Sequence, residues 1–142
     1  MLIRGIDHVG IAVQDLERAV IAYAVLLGVP PSHRDTVERD GVDAVMFELD
    51  DGSRVELLGS RRPGSKIAAF LAARGDGLHH VAYRVDDVQA TLDEYAGLGL
   101  RLLDTCSRPG AAGRVVAFLH PQAAAGVLTE VCQPDGDGHQ QL

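Results

Sequence analysis

Apolar residues in this 142-residue chain fall in short blocks whose period switches between that of a strand and that of a helix. Ile6 to Val13 is short, apolar and β-branched, which reads as a buried strand. Asp15 then stands at a helix N-cap, with Glu17 in the first turn where the helix dipole favours an anion. Leu16, Ala19, Val20, Tyr23, Leu26 and Leu27 recur at helical spacing, Gly28 stops the helix, and Pro30-Pro31 opens a loop. Arg34 to Glu38 predicts an edge strand and Val42 to Leu49 the next. Arg54 to Leu58 is the return strand after the hairpin turn Asp50-Asp51-Gly52-Ser53. Ser65 caps a short amphipathic helix through Ile67, Phe70 and Leu71, which Gly75-Asp76-Gly77 ends.

The same plan then recurs. A strand from Leu78 to Val85 leads to a cap at Asp86 or Asp87 and a helix carrying Val88, Leu92 and Tyr95, which Gly97 and Gly99 terminate. Strands are expected around Leu100 to Cys106, Arg114 to Leu119 and Val127 to Cys132, and the aperiodic tail from Pro134 is expected to fray. The recurrence extends to residue identity. Gly5-Ile6-Asp7-His8-Val9-Gly10-Ile11-Ala12-Val13 is written again 72 positions later as Gly77-Leu78-His79-His80-Val81-Ala82-Tyr83-Arg84-Val85, so that His8 matches His80. Tyr23 and Tyr95 keep the same offset. The expected fold is α+β: duplicated βαβββ units forming a curved mixed sheet around a shared metal cleft. The chain reads as a single domain, 1–142, made of two repeats (about 4–60 and 76–133) joined by a short helical linker.

Composition narrows the partners. A hydrophobic fraction of 46% with 23% charged residues is that of an ordinary globular protein with a core to bury. A net charge of −7 and an aromatic fraction of 4% speak against a nucleic-acid partner, which needs a basic face or a stacking platform. No apolar run approaches the ~20 residues of a membrane span, and no signal peptide is visible, so the expected location is cytoplasmic. Cys106 and Cys132 make neither a disulfide framework nor a zinc ribbon.

The candidate chemistry lies in the repeat. Val55-Glu56-Leu57-Leu58 stands opposite Thr129-Glu130-Val131-Cys132, so each unit offers one histidine on its first strand and one glutamate on its last. Because side chains alternate along a strand, His8, Glu56, His80 and Glu130 can point into one cleft as two nitrogens and two carboxylates around a divalent metal. Cobalt, nickel, manganese, iron and zinc all suit such a set. His79 competes with His80, but only His80 is in register with His8; His33, His120 and His139 have no repeat partner, and His33 and His139 read as solvated. Arg54 and Arg84 share faces with Glu56 and His80 respectively, where each either pairs with a nearby acid or meets an anionic substrate group. Arg61, Arg62 and Lys66 are the one obvious basic cluster.

At these residues the chain resembles the vicinal oxygen chelate superfamily of glyoxalase I, extradiol dioxygenases and bleomycin-resistance proteins. Within it, the chain is most similar to the methylmalonyl-CoA epimerase branch. Asp7 to Val13, Val55 to Leu58 and Gly77 to Ala82 carry the general likeness; Gly113-Arg114-Val115-Val116-Ala117-Phe118-Leu119-His120-Pro121 and Gly126-Val127-Leu128-Thr129-Glu130 favour the epimerase branch. The resemblance implies a divalent metal (cobalt, manganese, nickel or zinc) on His8, Glu56, His80 and Glu130. It also implies an acyl-CoA thioester substrate and a homodimer; for the enolate chemistry of such a thioester, Glu56 and Glu130, related by the repeat, are the candidate acid/base pair. Where the branch has Lys after His-Pro this chain has Gln122, where its loop reads Gly-Ala-His-Gly this one has Ala112, and where some relatives carry a glutamate it has Ala44. The alternatives are another metal enzyme on this scaffold, such as a glyoxalase-like lyase or a secondary-metabolite tailoring enzyme, and a non-catalytic resistance protein that binds a small molecule.

Overall fold

The computed structural model describes residues 2–133; the tail expected to fray, and His139 with it, lie outside the described residues. The elements run β1 (Ile3–Ala12), α1 (Leu16–Leu27), β2 (His33–Val37), β3 (Val42–Glu48) and β4 (Arg54–Ser60), then α2 (Lys66–Arg74). After it come β5 (Gly77–Val85), α3 (Val88–Gly97), β6 (Arg108–Pro109), β7 (Val115–Leu119) and β8 (Thr129–Gln133). The element order is βαβββ twice with α2 between, an α+β fold. Packing divides the chain inside β1 and β5: His8–His79 forms one compact unit, and Asp7 with the residues before it joins His80 and the residues after it in the other.

In the His8–His79 unit the strands lie in the order β2-β3-β4-β1, with β1 and β4 parallel and the rest antiparallel. One face of this sheet is apolar. Val45, Phe47 and Leu57 pack there against Val20, Leu16, Ala19 and Tyr23 of α1. Asp15 starts that helix as expected, its carboxylate accepting from the Arg18 N–H, and Gly28 ends it in the left-handed conformation at φ 73°. The other unit repeats the arrangement as β5-β8-β7-β6, with β5 and β8 parallel. Val85, Ala117, Leu119 and Val131 face Val88 and Leu92 of α3, whose N-cap is Asp87 rather than Asp86. Asp86 turns outward to Arg4, whose guanidinium holds its carboxyl below the usual range. Each helix therefore takes one face of its sheet and leaves the opposite one for other work.

The sixth strand differs from expectation. Leu100 to Cys106 is not a strand; Leu102 makes a single bridge to Leu119, and regular pairing is confined to Arg108–Pro109. The carboxylate of Asp104 explains the break. It accepts the Phe118 N–H at 2.8 Å and so takes a hydrogen bond that a sixth strand would otherwise make.

The two caps occupy equivalent places in the repeat, and both should matter equally. Asp15→Ala and Asp87→Ala are each expected to lower stability by about 0.5–2 kcal/mol in urea denaturation. Unchanged midpoints in both variants would show that the caps do not anchor the helices.

Candidate metal centre

The face that α1 does not cover carries His8 and Glu56. His8 lies on β1 and Glu56 on β4, where its register partner is Gly10, two residues beyond the histidine. On the other side Glu56 pairs with Met46 of β3. A residue without a side chain on one flank leaves room for the carboxylate to turn towards the imidazole, while Met46 closes the other flank. His8 Nε2 and Glu56 Oε1 stand 3.4 Å apart, with the two side chains 2% and 8% exposed.

The other unit builds the same pair from the same parts. Glu130 on β8 has Ala82 as its register partner on β5, again two residues past the histidine, and Phe118 of β7 on the other side. His80 Nε2 lies 3.1 Å from Glu130 Oε1, both side chains buried. The His80 ring also meets Phe118 edge-on, with centroids 5.6 Å apart, which fixes the plane of the imidazole. Each predicted histidine is thus brought against the predicted glutamate of its own half.

These pairs suit a metal on chemical grounds. A neutral imidazole nitrogen and a carboxylate oxygen both offer lone pairs, so their approach in a buried place requires a proton or a cation between them. Two donors bound to one cation at about 2.0–2.2 Å lie roughly 3.0–3.4 Å apart when the angle between them is from a right angle to tetrahedral. Both observed separations fall at that spacing. Nitrogen with carboxylate oxygen is the donor set of borderline divalent transition metals.

One feature of the same face escaped the sequence reading. Asp7 and Arg114 form an ion pair with both side chains almost wholly buried. The same Arg114 nitrogen lies 3.6 Å from Cys132 Sγ, and Cys132 shares the face of Glu130 two residues away. Burial opposes the guanidinium charge, but the fields and hydrogen bonds of Cys132 and Asp7 outweigh it and raise its pKa. The available signal was an acid and a base each inside an apolar strand motif, which is expensive unless they meet. Cys132 itself is fully buried, as a small core residue is.

Other candidates fall away from the centre. His79 turns to the Phe70 ring, 5.0 Å between centroids, and His33 is exposed. His120 accepts the Gln122 N–H on Nδ1, so it serves as a turn cap. Arg61 bonds Asp43 at 3.1 Å, and Arg62 donates to the carbonyls of Glu38 and Arg39, so most of the basic cluster is engaged within its own unit. Asp43 also accepts from Thr36 and lies on the α1 side of β3, as the alternation from Met46 requires.

The buried ion pair gives a sharp stability test. Arg114→Leu leaves the Asp7 carboxylate without its cation and is expected to cost about 3–5 kcal/mol, with much of the loss recovered in the Asp7→Asn, Arg114→Leu double variant. Chemical denaturation of the three proteins measures this; equal stabilities would show that the pair carries no weight.

Residues 7–118 match the model of the glyoxalase/bleomycin resistance protein/dioxygenase superfamily. An ethylmalonyl-CoA/methylmalonyl-CoA epimerase of Cereibacter sphaeroides is 36% identical over 134 residues, covering 93% of this chain and 99% of the relative. The crystal structure of methylmalonyl-CoA epimerase from Mycobacterium tuberculosis superposes with a TM-score of 0.91 at 33% identity, over 98% of this chain and 93% of that one. A methylmalonyl-CoA epimerase in complex with methylmalonyl-CoA and NH4+ superposes with a TM-score of 0.86 at 36% identity, over 94% and 95% of the two chains. On the family match and on the sequence and structural likeness together, this chain belongs to the glyoxalase/bleomycin resistance protein/dioxygenase (vicinal oxygen chelate) superfamily, among its methylmalonyl-CoA epimerase-like isomerases.

Proposed function

We propose that this chain is a divalent-metal-dependent epimerase that inverts the α-carbon of methylmalonyl-CoA, or of a related 2-substituted acyl thioester, through an enolate. The observation that carries the reading is a buried imidazole against a buried carboxylate at matched positions of both repeats, 3.4 Å and 3.1 Å apart. The similarity to epimerases that act on such thioesters, one of them bound to methylmalonyl-CoA, supports the substrate class. In this reading His8, Glu56, His80 and Glu130 hold one cation: cobalt, manganese, nickel or zinc. When bound, such a cation supplies a Lewis acid that offsets the negative charge developing on the thioester oxygen.

The chain's own groups handle the proton. Inversion requires that one group take the proton from one face of the α-carbon and a second group deliver its own proton to the opposite face, so two acid/base groups are needed. Glu56 and Glu130 are equivalent by the repeat and are the pair assigned here. Their flanking residues, Met46 and Phe118, are apolar, which limits competing water at the carboxylates during the reaction while the proton each carries still exchanges with solvent between turnovers. No helix among the described residues is long and apolar enough to cross a membrane. A cytoplasmic homodimer completes the proposal.

The test is isotopic. Metal-loaded protein in deuterium oxide is expected to place deuterium at C2 of methylmalonyl-CoA while interconverting its epimers, and prolonged chelation should abolish both. Glu56→Gln and Glu130→Gln should each lower turnover by about 10²–10⁴-fold. Full activity in both variants with metal retained rules out the acid/base assignment. Absence of exchange in the loaded wild-type protein rules out the epimerase.

A further inference from the structure

A thioester that carries a free carboxylate needs a cation to receive it, and this chain is acidic as a whole, at −7. In the unit built on β5, β8 and β7, the sheet face that bears His80 and Glu130 also bears three arginines. Arg114 is 2% exposed and given to Asp7, out of reach of a ligand. Arg84 lies four residues beyond His80 and packs its guanidinium on Gly5, where a Cβ would come within 3.2 Å of Nη2. That places it towards the far end of the strand. Arg108 is placed otherwise. On β6 it pairs in register with Val116, and its guanidinium carbon lies 5.3 Å over the ring of Phe118.

That ring is the link to the site. Phe118 is the cross-strand partner of Glu130 and packs edge-on against His80. The Arg108 cation therefore stands one aromatic ring away from the imidazole, across β7 from the strand that carries Glu130. It is held there from two sides: the Phe118 face below, and Asp104 Oδ2, 3.2 Å from Nε. Asp104 is itself tied to the strand through the Phe118 N–H, so the cation is set before any ligand arrives. At 16% side-chain exposure Arg108 is reachable by an anion yet largely desolvated, where an ion pair gains more than on an open surface. A guanidinium offers five donors in a planar fork that matches a carboxylate. Gln122, at the position where relatives in this branch have lysine, is directed elsewhere: its amide oxygen accepts from Arg101 at 2.7 Å.

We propose that Arg108 is the specificity-determining residue that receives the free carboxylate of the acyl group, with Asp104 and Phe118 as its positioning residues. The assignment rests on the epimerase reading for its substrate. Arg108→Met and Arg108→Lys test it by calorimetric titration with methylmalonyl-CoA and with propionyl-CoA, the same thioester without the carboxylate, alongside steady-state kinetics. The Met variant should bind methylmalonyl-CoA about tenfold or more weakly, with the loss appearing in KM more than in kcat, while propionyl-CoA binding stays at the wild-type level. The Lys variant should recover part of the loss. Equal weakening for both thioesters, or no change for either, overturns the assignment. Should the Met variant fail to fold, the ratio of the two affinities in the Lys variant decides: a fall for methylmalonyl-CoA alone supports Arg108, and an unchanged ratio overturns it. Wild-type protein that binds propionyl-CoA and methylmalonyl-CoA but exchanges no proton would fail the epimerase reading while leaving the carboxylate contact measurable.

Discussion

A glutamate carboxylate buried on a sheet face is the constraint around which each half of this protein is arranged. Leaving such a charge without a partner costs several kcal/mol, so a buried glutamate is kept only where something answers it. Glu56 and Glu130 are each answered by an imidazole of their own half. The answer depends on register. A parallel pairing sets each glutamate beside the residue two past its histidine, and that residue is small in both halves, Gly10 and Ala82. A one-residue slip would turn the carboxylate into the helix-facing core, where only apolar side chains wait.

The two faces of each sheet therefore do different jobs. Helix α1 or α3 seals one face with Val, Leu and Phe, and that burial supplies the stability. The other face is spent on polar groups that do not stabilise by themselves. It carries the His–Glu pairs, the Asp7–Arg114 pair and the Asp104–Arg108–Phe118 stack, each costly to bury and each fixed by a specific partner. Groups fixed in this way need not reorganise when a ligand arrives.

Much of this was legible in the sequence because it was written twice. One histidine among six would carry little meaning, but His8 and His80 at the same offset as Tyr23 and Tyr95 could be told from His79, which turned out to face Phe70. Strand alternation then put Glu56 and Glu130 on the histidine faces. What stayed hidden lacked a repeat partner. Nothing in the first half matches the segment from Leu100 to Arg108, and there a side chain, Asp104, displaces strand pairing that apolar content predicted. The Asp7–Arg114 pair joins residues more than a hundred positions apart, a tertiary choice that local patterns do not encode.

The two imidazole–carboxylate pairs are proposed to serve one cation. Crystals of the protein grown with cobalt, with anomalous diffraction collected at the cobalt edge, test this most directly. One anomalous peak per chain is expected, bonded to His8, Glu56, His80 and Glu130 together. A peak held by the pair from a single half, or by residues outside these four, would contradict it.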